Sequence, residues 1–254
     1  MATAGMRFIK LVVSYDGTKF SGWQWQPGRR TVQGELETAI RKVTGEELRV
    51  VASGRTDAGV HAVAQCVSFA TQSHLPPDTL RRALNANTPA DLAVQGAEEV
   101  REGFNAIDDA VSKRYRYVIT DGPARDVFTR DYAWYLHYTL DVEAMDRAAQ
   151  ALRGTHDFKS FETSGSARVT TVRTIHDIGV RRVDRGGSRI QLEVEANGFL
   201  YNMVRNIVGT LVQVGRGKRP VEWPAEVLAR RDRRCAGMTA PPQGLFLLQV
   251  NFRD

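Results

Sequence analysis

Apolar residues recur along the first hundred positions with two different periods, which predict strands and helices in turn. Apolar side chains at every second position, bounded by turn residues, are typical of strands, and they predict strands at residues 9–15, 48–53, 63–69 and 92–100. A period near four, with Thr31 as the cap and Gly45 as the stop, predicts a helix over residues 31–43. A second, shorter helix is predicted over residues 76–84, with proline at its start.

The remainder of the chain repeats this mixture. Strands are predicted at residues 112–120, 172–183, 188–196 and 244–252, with a hairpin turn at residues 184–187. Helices are predicted at residues 141–152, capped by Asp141, and at residues 199–214, where the pattern is amphipathic. Hairpins mixed with helices favour an α+β fold with mainly antiparallel sheets. We predict two α+β domains, residues 1–105 and residues 106–254.

Composition and charge narrow the functional classes. Hydrophobic residues make up 42% and charged residues 25% of the 254 positions, which is typical of a soluble globular protein. No apolar run is long enough to span a bilayer, and the N-terminus lacks the pattern of a signal peptide, so we expect a cytoplasmic protein without membrane contact. The two cysteines predict no disulfide framework, Cys66 is expected to be a buried, inert thiol, and no Cys/His spacing indicates a metal site.

Basic residues exceed acidic ones by 35 to 29, and their grouping is more informative than the net charge of +6. Arginine suits phosphate oxygens because its planar fork of N–H groups can donate two parallel hydrogen bonds. Several separated basic clusters therefore favour a polyanion that contacts the protein in several places. These clusters lie at residues 29–30, 113–116, 181–182, 216–219 and 230–234.

The segment with the clearest chemistry is SGRTDAGVH, residues 53–61. Its glycines permit a tight turn between two predicted strands, so the carboxylate of Asp57 is expected to project from the sheet. Arg55 is close enough in sequence to pair with Asp57 and to keep it ionised. From the spacing alone, an ordinary turn in which Asp57 bonds its own backbone is the commoner interpretation.

This segment resembles the active-site motif of the tRNA pseudouridine synthase A family, and other segments resemble that family in the same order. They are YDG and FSGWQ near the N-terminus, TVQGEL, KRYRY at residues 113–117, HDF at residues 156–158, FLYNMVRNIVG from residue 199, and GLFL at residues 244–247. The resemblance runs from about residue 10 to the end. It implies two ferredoxin-like α/β-sandwich halves with a central active-site cleft, and a homodimer that binds tRNA. The implied reaction is isomerisation of uridine to pseudouridine at positions 38, 39 and 40 of the anticodon stem-loop, without a cofactor.

The resemblance also implies roles for individual residues. Asp57 is expected to be the catalytic carboxylate, with Tyr115 stacking on the target base and Arg55 assisting base flipping. Substrate-binding positions are Arg205, expected to pair with Asp57 or a phosphate, and Leu245 as an apolar wall of the uracil pocket. The turn residues Gly54, Thr56 and Gly59 complete the expected site.

Several alternatives stay open at this stage. Tyr115 or Tyr117 could be a packing residue, since both lie on one strand face, and Arg205 could form a salt bridge within its own half. Trp23 and Trp25 could stack on bases or belong to the core, and His61 and His156 are expected to be structural. Other functional classes are a non-catalytic RNA-binding protein and a glycoside hydrolase, although the latter usually requires two carboxylates.

Overall fold

The computed structural model describes residues 5–165, 170–183 and 187–253, so the predicted turn at 184–187 lies largely outside the described residues. The strands are β1 (Arg7–Tyr15), β2 (Val51–Ala52), β3 (His61–Thr71), β4 (Leu92–Val100), β5 (Ala110–Asp121), β6 (Trp134–Leu136), β7 (Gly154–Asp157), β8 (Val172–Arg182), β9 (Arg189–Ala196) and β10 (Leu245–Phe252). The helices are α1 (Val32–Thr44), α2 (Pro77–Asn85), α3 (Val142–Gln150), α4 (Met203–Gly215) and α5 (Trp223–Arg230).

The chain divides into two compact units, and the division differs from the predicted one at residue 105 in two respects. The first unit comprises residues 1–111 together with residues 247–254, and the second comprises residues 112–246. The first boundary therefore falls six residues later, and most of β10 belongs to the first unit. The sequence cannot indicate this return, because strand pairing across most of the chain length leaves no local signal.

The first unit is built on the strand order β4-β1-β3-β10, with β2 beside β3. Strand β1 pairs antiparallel with both β3 and β4. Alternate side chains of β1 are buried, namely Ile9, Leu11, Val13 and Tyr15, as the two-residue period predicts. Helix α1 has the expected ends, since Thr31 Oγ1 accepts from Gly34 N and Gly45 is left-handed with φ 78°.

The second unit has the strand order β5-β9-β8-β7, with antiparallel pairs and one parallel neighbour, β6, beside β5. Helix α3 packs against β8 and begins with Asp141, whose side chain accepts from Ala144 N. The α+β class with mainly antiparallel sheets is confirmed.

Helix α4 differs from its prediction in both its start and its environment. It begins at Met203 rather than near residue 199, because Asn202 adopts a left-handed backbone with φ 59° that interrupts helical hydrogen bonding. It is also buried on nearly all sides rather than amphipathic. A helix surrounded by protein in this way can hold a side chain at its first turn in a fixed position.

Candidate active site

The segment SGRTDAGVH forms a turn between β2 and β3, and its first half is tied to β3. Ser53 N donates to Cys66 O over 2.9 Å, and Ser53 Oγ donates to Gln65 Oε1 over 2.7 Å. The same Gln65 side chain donates from Nε2 to Gly54 O over 2.7 Å. Gln65 is fully buried, so one side chain fixes two consecutive residues of the turn from within the sheet.

The second half of the turn is fixed by buried aromatic residues. Tyr15 Oη and Thr56 Oγ1 are hydrogen-bonded at 2.8 Å, and Trp23 N donates to Thr56 O over 3.0 Å. Burial raises the pKa of Tyr15 to about 12, so its hydroxyl stays protonated at neutral pH. Gly22 is required beside the turn, because a Cβ there would lie 2.8 Å from Thr56 O.

Asp57 occupies the apex of this fixed turn. Its carbonyl accepts from Val60 N over 3.1 Å, and Gly59 takes a left-handed backbone with φ 77°, which glycine adopts without steric cost. The Asp57 side chain is half-buried, whereas Thr56 before it is buried. The carboxylate therefore sits on a rigid backbone at the protein surface rather than inside the packed core.

The expected ion pair between Arg55 and Asp57 is wrong. Arg55 is exposed, and it makes no hydrogen bond or ion pair with any residue in the described part of the chain. An exposed pair of this kind gains little Coulomb energy and costs side-chain entropy, so adjacency in sequence does not enforce it. Arg55 consequently presents an unneutralised cation two residues before the carboxylate.

His61 follows the turn and has a structural role, as expected. It is buried, and its Nδ1 accepts from Gly17 N over 3.0 Å. A ring nitrogen that accepts a hydrogen bond carries no proton. Gly17 itself approaches closely, since a Cβ there would lie 2.1 Å from Val60 O.

Strand β5 of the second unit carries Tyr115 and Tyr117 on one face. Tyr117 is fully buried, donates from Oη to Pro241 O over 2.7 Å, and has a pKa raised by burial. Tyr115 is 8% exposed and meets Phe199 edge-on, with ring centroids 5.0 Å apart. Of the two tyrosines, Tyr117 is thus the structural one.

We predict that Tyr117→Phe lowers the free energy of unfolding by about 1–2 kcal/mol, because it leaves the Pro241 carbonyl without its buried donor. Thermal or urea unfolding measures this change. The rate on substrate at saturation should change by less than about threefold, since the ring packing is kept. Unaltered stability would show that Pro241 O finds another donor.

Arg205 lies in the first turn of α4 and is anchored within the second unit. Its Nε donates to Ala240 O over 2.7 Å, and its Nη1 donates to Asn202 Oδ1 over 2.8 Å. Both of these acceptors are neutral, and the two contacts orient the guanidinium. The expectation that Arg205 pairs with Asp57 or with a phosphate stays a prediction.

Arg233 forms a hydrogen-bonded cluster beside Ala240, the acceptor for Arg205 Nε, and the sequence did not indicate it. Arg233 donates from Nη1 to Gly237 O over 2.8 Å and from Nη2 to Asn206 Oδ1 over 2.9 Å and Thr239 Oγ1 over 3.1 Å. Asn206 is fully buried, and burial lowers the pKa of Arg233. Because Arg233 lies in the basic run 230–234, the sequence suggested a surface residue.

Several known proteins are similar to this chain in sequence. The family model described as tRNA pseudouridine synthase matches residues 11–107 and 148–253. A tRNA pseudouridine synthase A of Thermoanaerobacter sp. (strain X514) is 45% identical over 245 residues, covering 96% of this chain and 99% of that protein. The one from Halalkalibacterium halodurans is 48% identical over 250 residues, covering 98% and 94%. This chain belongs to the tRNA pseudouridine synthase A family.

Family membership makes the protein an isomerase that acts on tRNA and forms pseudouridine. Among solved structures, a chain of a Cbf5-Nop10-Gar1 complex aligns with a TM-score of 0.36 and 12% identity, over 94% of this chain and 57% of that one. A likeness this low adds nothing to the assignment. Within the described ranges, no group of acidic, histidine and cysteine side chains could hold a metal, and no helix is long and apolar enough to cross a membrane.

The remaining family motif positions differ in how far they are buried. Trp23 is buried in the core, whereas Trp25 is 43% exposed and lies under the Arg49 guanidinium. Leu245 is buried at the start of β10, beside Gly244, where a Cβ would meet the Tyr117 ring at 2.7 Å. His156 is half-buried and bonds Arg153 O through Nε2, as a structural residue would.

Several basic clusters expected to face a polyanion are instead neutralised by carboxylates. Arg114 and Arg116 pair with Glu195 and Glu193 at 2.6 and 2.8 Å, and Arg182 pairs with Asp121 at 2.7 Å. Further pairs join Arg30 to Asp91 and Arg234 to Asp232. Basic composition therefore overstates the surface that is available to RNA.

Proposed function

We propose that this isomerase of tRNA converts uridines 38, 39 and 40 of the anticodon stem-loop to pseudouridine, with Asp57 as its catalytic carboxylate. The observation that supports this most is the turn itself. Gln65 and Trp23 bond its backbone and Tyr15 bonds the Thr56 hydroxyl, yet the Asp57 side chain is only half-buried. Rigid support of a reactive group is what catalysis by positioning requires.

The reaction needs no imported atom or electron. The N1–C1′ glycosidic bond breaks, the uracil turns, a C5–C1′ bond forms, and the proton on C5 moves to N1 through solvent. Because the product is an isomer of the substrate, we propose a cofactor-independent mechanism. The carboxylate either adds to the ribose or promotes elimination to a glycal, and an ionised carboxylate, with an ordinary pKa of about 3.9, is suited to both at neutral pH.

Other residues are proposed to bind and orient the nucleotide. Tyr115 stacks on the uracil, and its phenol takes part in removing the C5 proton through a relay, because a phenol with an ordinary pKa of about 10 is protonated at neutral pH and is a poor direct base for that proton. Arg55, an exposed cation without a carboxylate among the described residues, holds the flipped nucleotide or its phosphate. Arg205 holds a phosphate or the catalytic carboxylate, and Leu245 contacts the uracil. Gly54, Thr56 and Gly59 shape the turn.

The test is incubation of the purified protein with unmodified tRNA that carries tritium at uracil C5. Tritium release into water with uracil retained in the RNA indicates isomerisation. Release of free uracil would instead indicate a glycoside hydrolase, and binding without either product would indicate an RNA-binding protein. Mapping the modified positions then tests the restriction to 38, 39 and 40.

For Tyr115 we predict that substitution by Phe slows tritium release by about 10²-fold, the usual contribution of a proton-transfer group. The affinity for tRNA should be unchanged, because the ring and its edge contact with Phe199 remain. The comparison is single-turnover tritium release by the Tyr115→Phe and Tyr115→Leu proteins. Full activity of the Phe protein would leave Tyr115 a stacking role only.

We also propose, from the family resemblance, that the protein is a cytoplasmic homodimer. Light scattering of the purified protein tests the dimer, and a single-chain mass would contradict it.

A further inference from the structure

In the part of the chain that the structure describes, four arginines lie over aromatic rings, and they divide into two classes. Two of them are also held by carboxylates. Arg30 lies 4.2 Å from the Phe20 ring and pairs with Asp91, and Arg49 lies 4.9 Å from the Trp25 ring and pairs with Glu37 at 2.8 Å. In these two cases the ring and the carboxylate together explain the position of the arginine and compensate its charge.

The other two arginines have rings but no acids. Arg216 lies 4.4 Å from the Tyr138 ring centroid, and Arg219 lies 4.9 Å from the Trp223 ring centroid. Over residues 5–165, 170–183 and 187–253, neither guanidinium has a hydrogen bond or ion pair, and neither does the side-chain ammonium of Lys218 between them. Arg216, Lys218 and Arg219 are exposed. We call these three residues the 216–219 patch.

Helix electrostatics explain only part of the patch. Arg216 is the C-cap of α4, where a cation is favoured by the helix dipole. Arg219, however, lies over Trp223, the first residue of α5, and the dipole disfavours a cation at a helix N-terminus. Glu222 is the N-cap residue of α5 and Glu226 lies in its first turn, but within the described residues no carboxylate pairs with Arg219, so its charge is available to an anion from another molecule.

Stacking on an aromatic ring orients a guanidinium so that it can bind a phosphate. A ring under the guanidinium plane restricts its rotation, so less side-chain entropy is lost on binding. The N–H groups at the edge of the plane stay free, and their fork matches two phosphate oxygens. Two such groups flanking an ammonium provide three cations along one short loop, a geometry suited to successive phosphates of a nucleic-acid strand.

We propose that the 216–219 patch binds backbone phosphates of tRNA, as a contact separate from the Asp57 turn. The patch lies at the opposite end of α4 from Arg205, eleven residues along the helix, or about 16 Å at 1.5 Å per residue. If Arg205 holds a phosphate of the bound RNA, one of its two roles in the proposed function, the patch meets phosphates roughly 16 Å from that one. It supplies affinity and register without taking part in the chemistry.

The test compares tRNA affinity at several salt concentrations for the triple variant Arg216→Ala/Lys218→Ala/Arg219→Ala. Loss of three phosphate contacts should reduce the slope of log K against log salt by about 2–3 and weaken binding more than tenfold at low salt. The matched control removes three arginines that pair with acids, in Arg41→Ala/Arg49→Ala/Arg81→Ala, which loses the same charge. Its slope should stay within about 1 of the wild type. Equal losses in the two triples would overturn the proposal.

Three further measurements separate the patch from the chemistry, test the role of the rings and control for loss of folding. Tritium release by the patch variant should show a raised KM with an unchanged kcat, so a lost kcat would contradict a purely binding role. Failure of the Asp57 proposal would leave the salt slopes unaffected. Arg216→Lys/Arg219→Lys keeps the charge and should bind tRNA several-fold more weakly; affinity equal to wild type would overturn the role of the rings. If the triple variant unfolds, Arg219→Glu alone must weaken binding, and unchanged binding would overturn the proposal.

Discussion

Asp57→Asn should abolish tritium release, lowering its rate by at least about 10³-fold, because removal of a reacting group costs this much or more in comparable enzymes. Asparagine keeps the shape of the side chain but lacks the charge and the nucleophilicity of the carboxylate. The turn should persist, since Val60 N bonds the main-chain carbonyl of Asp57 and the flanking contacts come from Gln65, Tyr15 and Trp23. Single-turnover kinetics at saturating enzyme measures the effect.

The control for this variant is binding. Affinity for tRNA should stay within about tenfold of wild type, because backbone contacts rather than one carboxylate provide most of it. The thermal unfolding midpoint should also be close to that of the wild type. Activity surviving in the Asn protein would refute the assignment of Asp57, and loss of binding together with activity would point to a structural role.

Gly209→Ala should be the most destabilising conservative substitution near the site. A Cβ at position 209 would lie 1.7 Å from Met238 O, a main-chain atom that cannot swing away. Alanine gains about 1 kcal/mol in helix propensity, but overpacking of this severity costs about 3 kcal/mol or more. We expect the unfolding midpoint to fall by several degrees. The displaced segment includes Ala240, the acceptor for Arg205 Nε, so activity of the folded protein should fall as well.

Gly179→Ala is the matched control in the same unit. Its Cβ would meet Asp146 Oδ1 at 3.7 Å, an ordinary contact. We expect a change in unfolding free energy within about 1 kcal/mol and unaltered activity. Equal midpoints for the two alanine proteins would contradict the close packing of α4 against residues 237–240.

Much of the fold could be predicted because its signals are local. Alternation along β1 and the Thr31 and Gly45 caps of α1 depend on neighbouring residues, and each is found where the pattern placed it. The predicted start of α4, near residue 199, is wrong. Asn202 has a left-handed backbone that depends on contacts made elsewhere in the second unit, and the local sequence does not show them. Short elements, namely β6, β7 and α5, were missed because three to eight residues carry too little periodicity.

In the candidate site, too, the features that depend on neighbouring residues could be predicted, and those that depend on distant contacts could not. The Asp57 turn was evident from its glycines, but its supports, Gln65 and Tyr15, come from strands whose pairing the sequence does not state. Arg55 was expected to pair because it is close in sequence, whereas Arg233 was assigned to a basic surface run although it donates to Asn206, Thr239 and Gly237. Charge counts do not reveal which cations are already bonded.

The most direct test is position-by-position mapping of pseudouridine in unmodified tRNA transcripts, each carrying uridine at 38, 39 and 40, after incubation with the wild-type or the Asp57→Asn protein. We predict pseudouridine at those three positions with the wild type, none elsewhere, and none at all with the variant. Pseudouridine formed by the variant, or formed by the wild type only at other positions, would contradict the account.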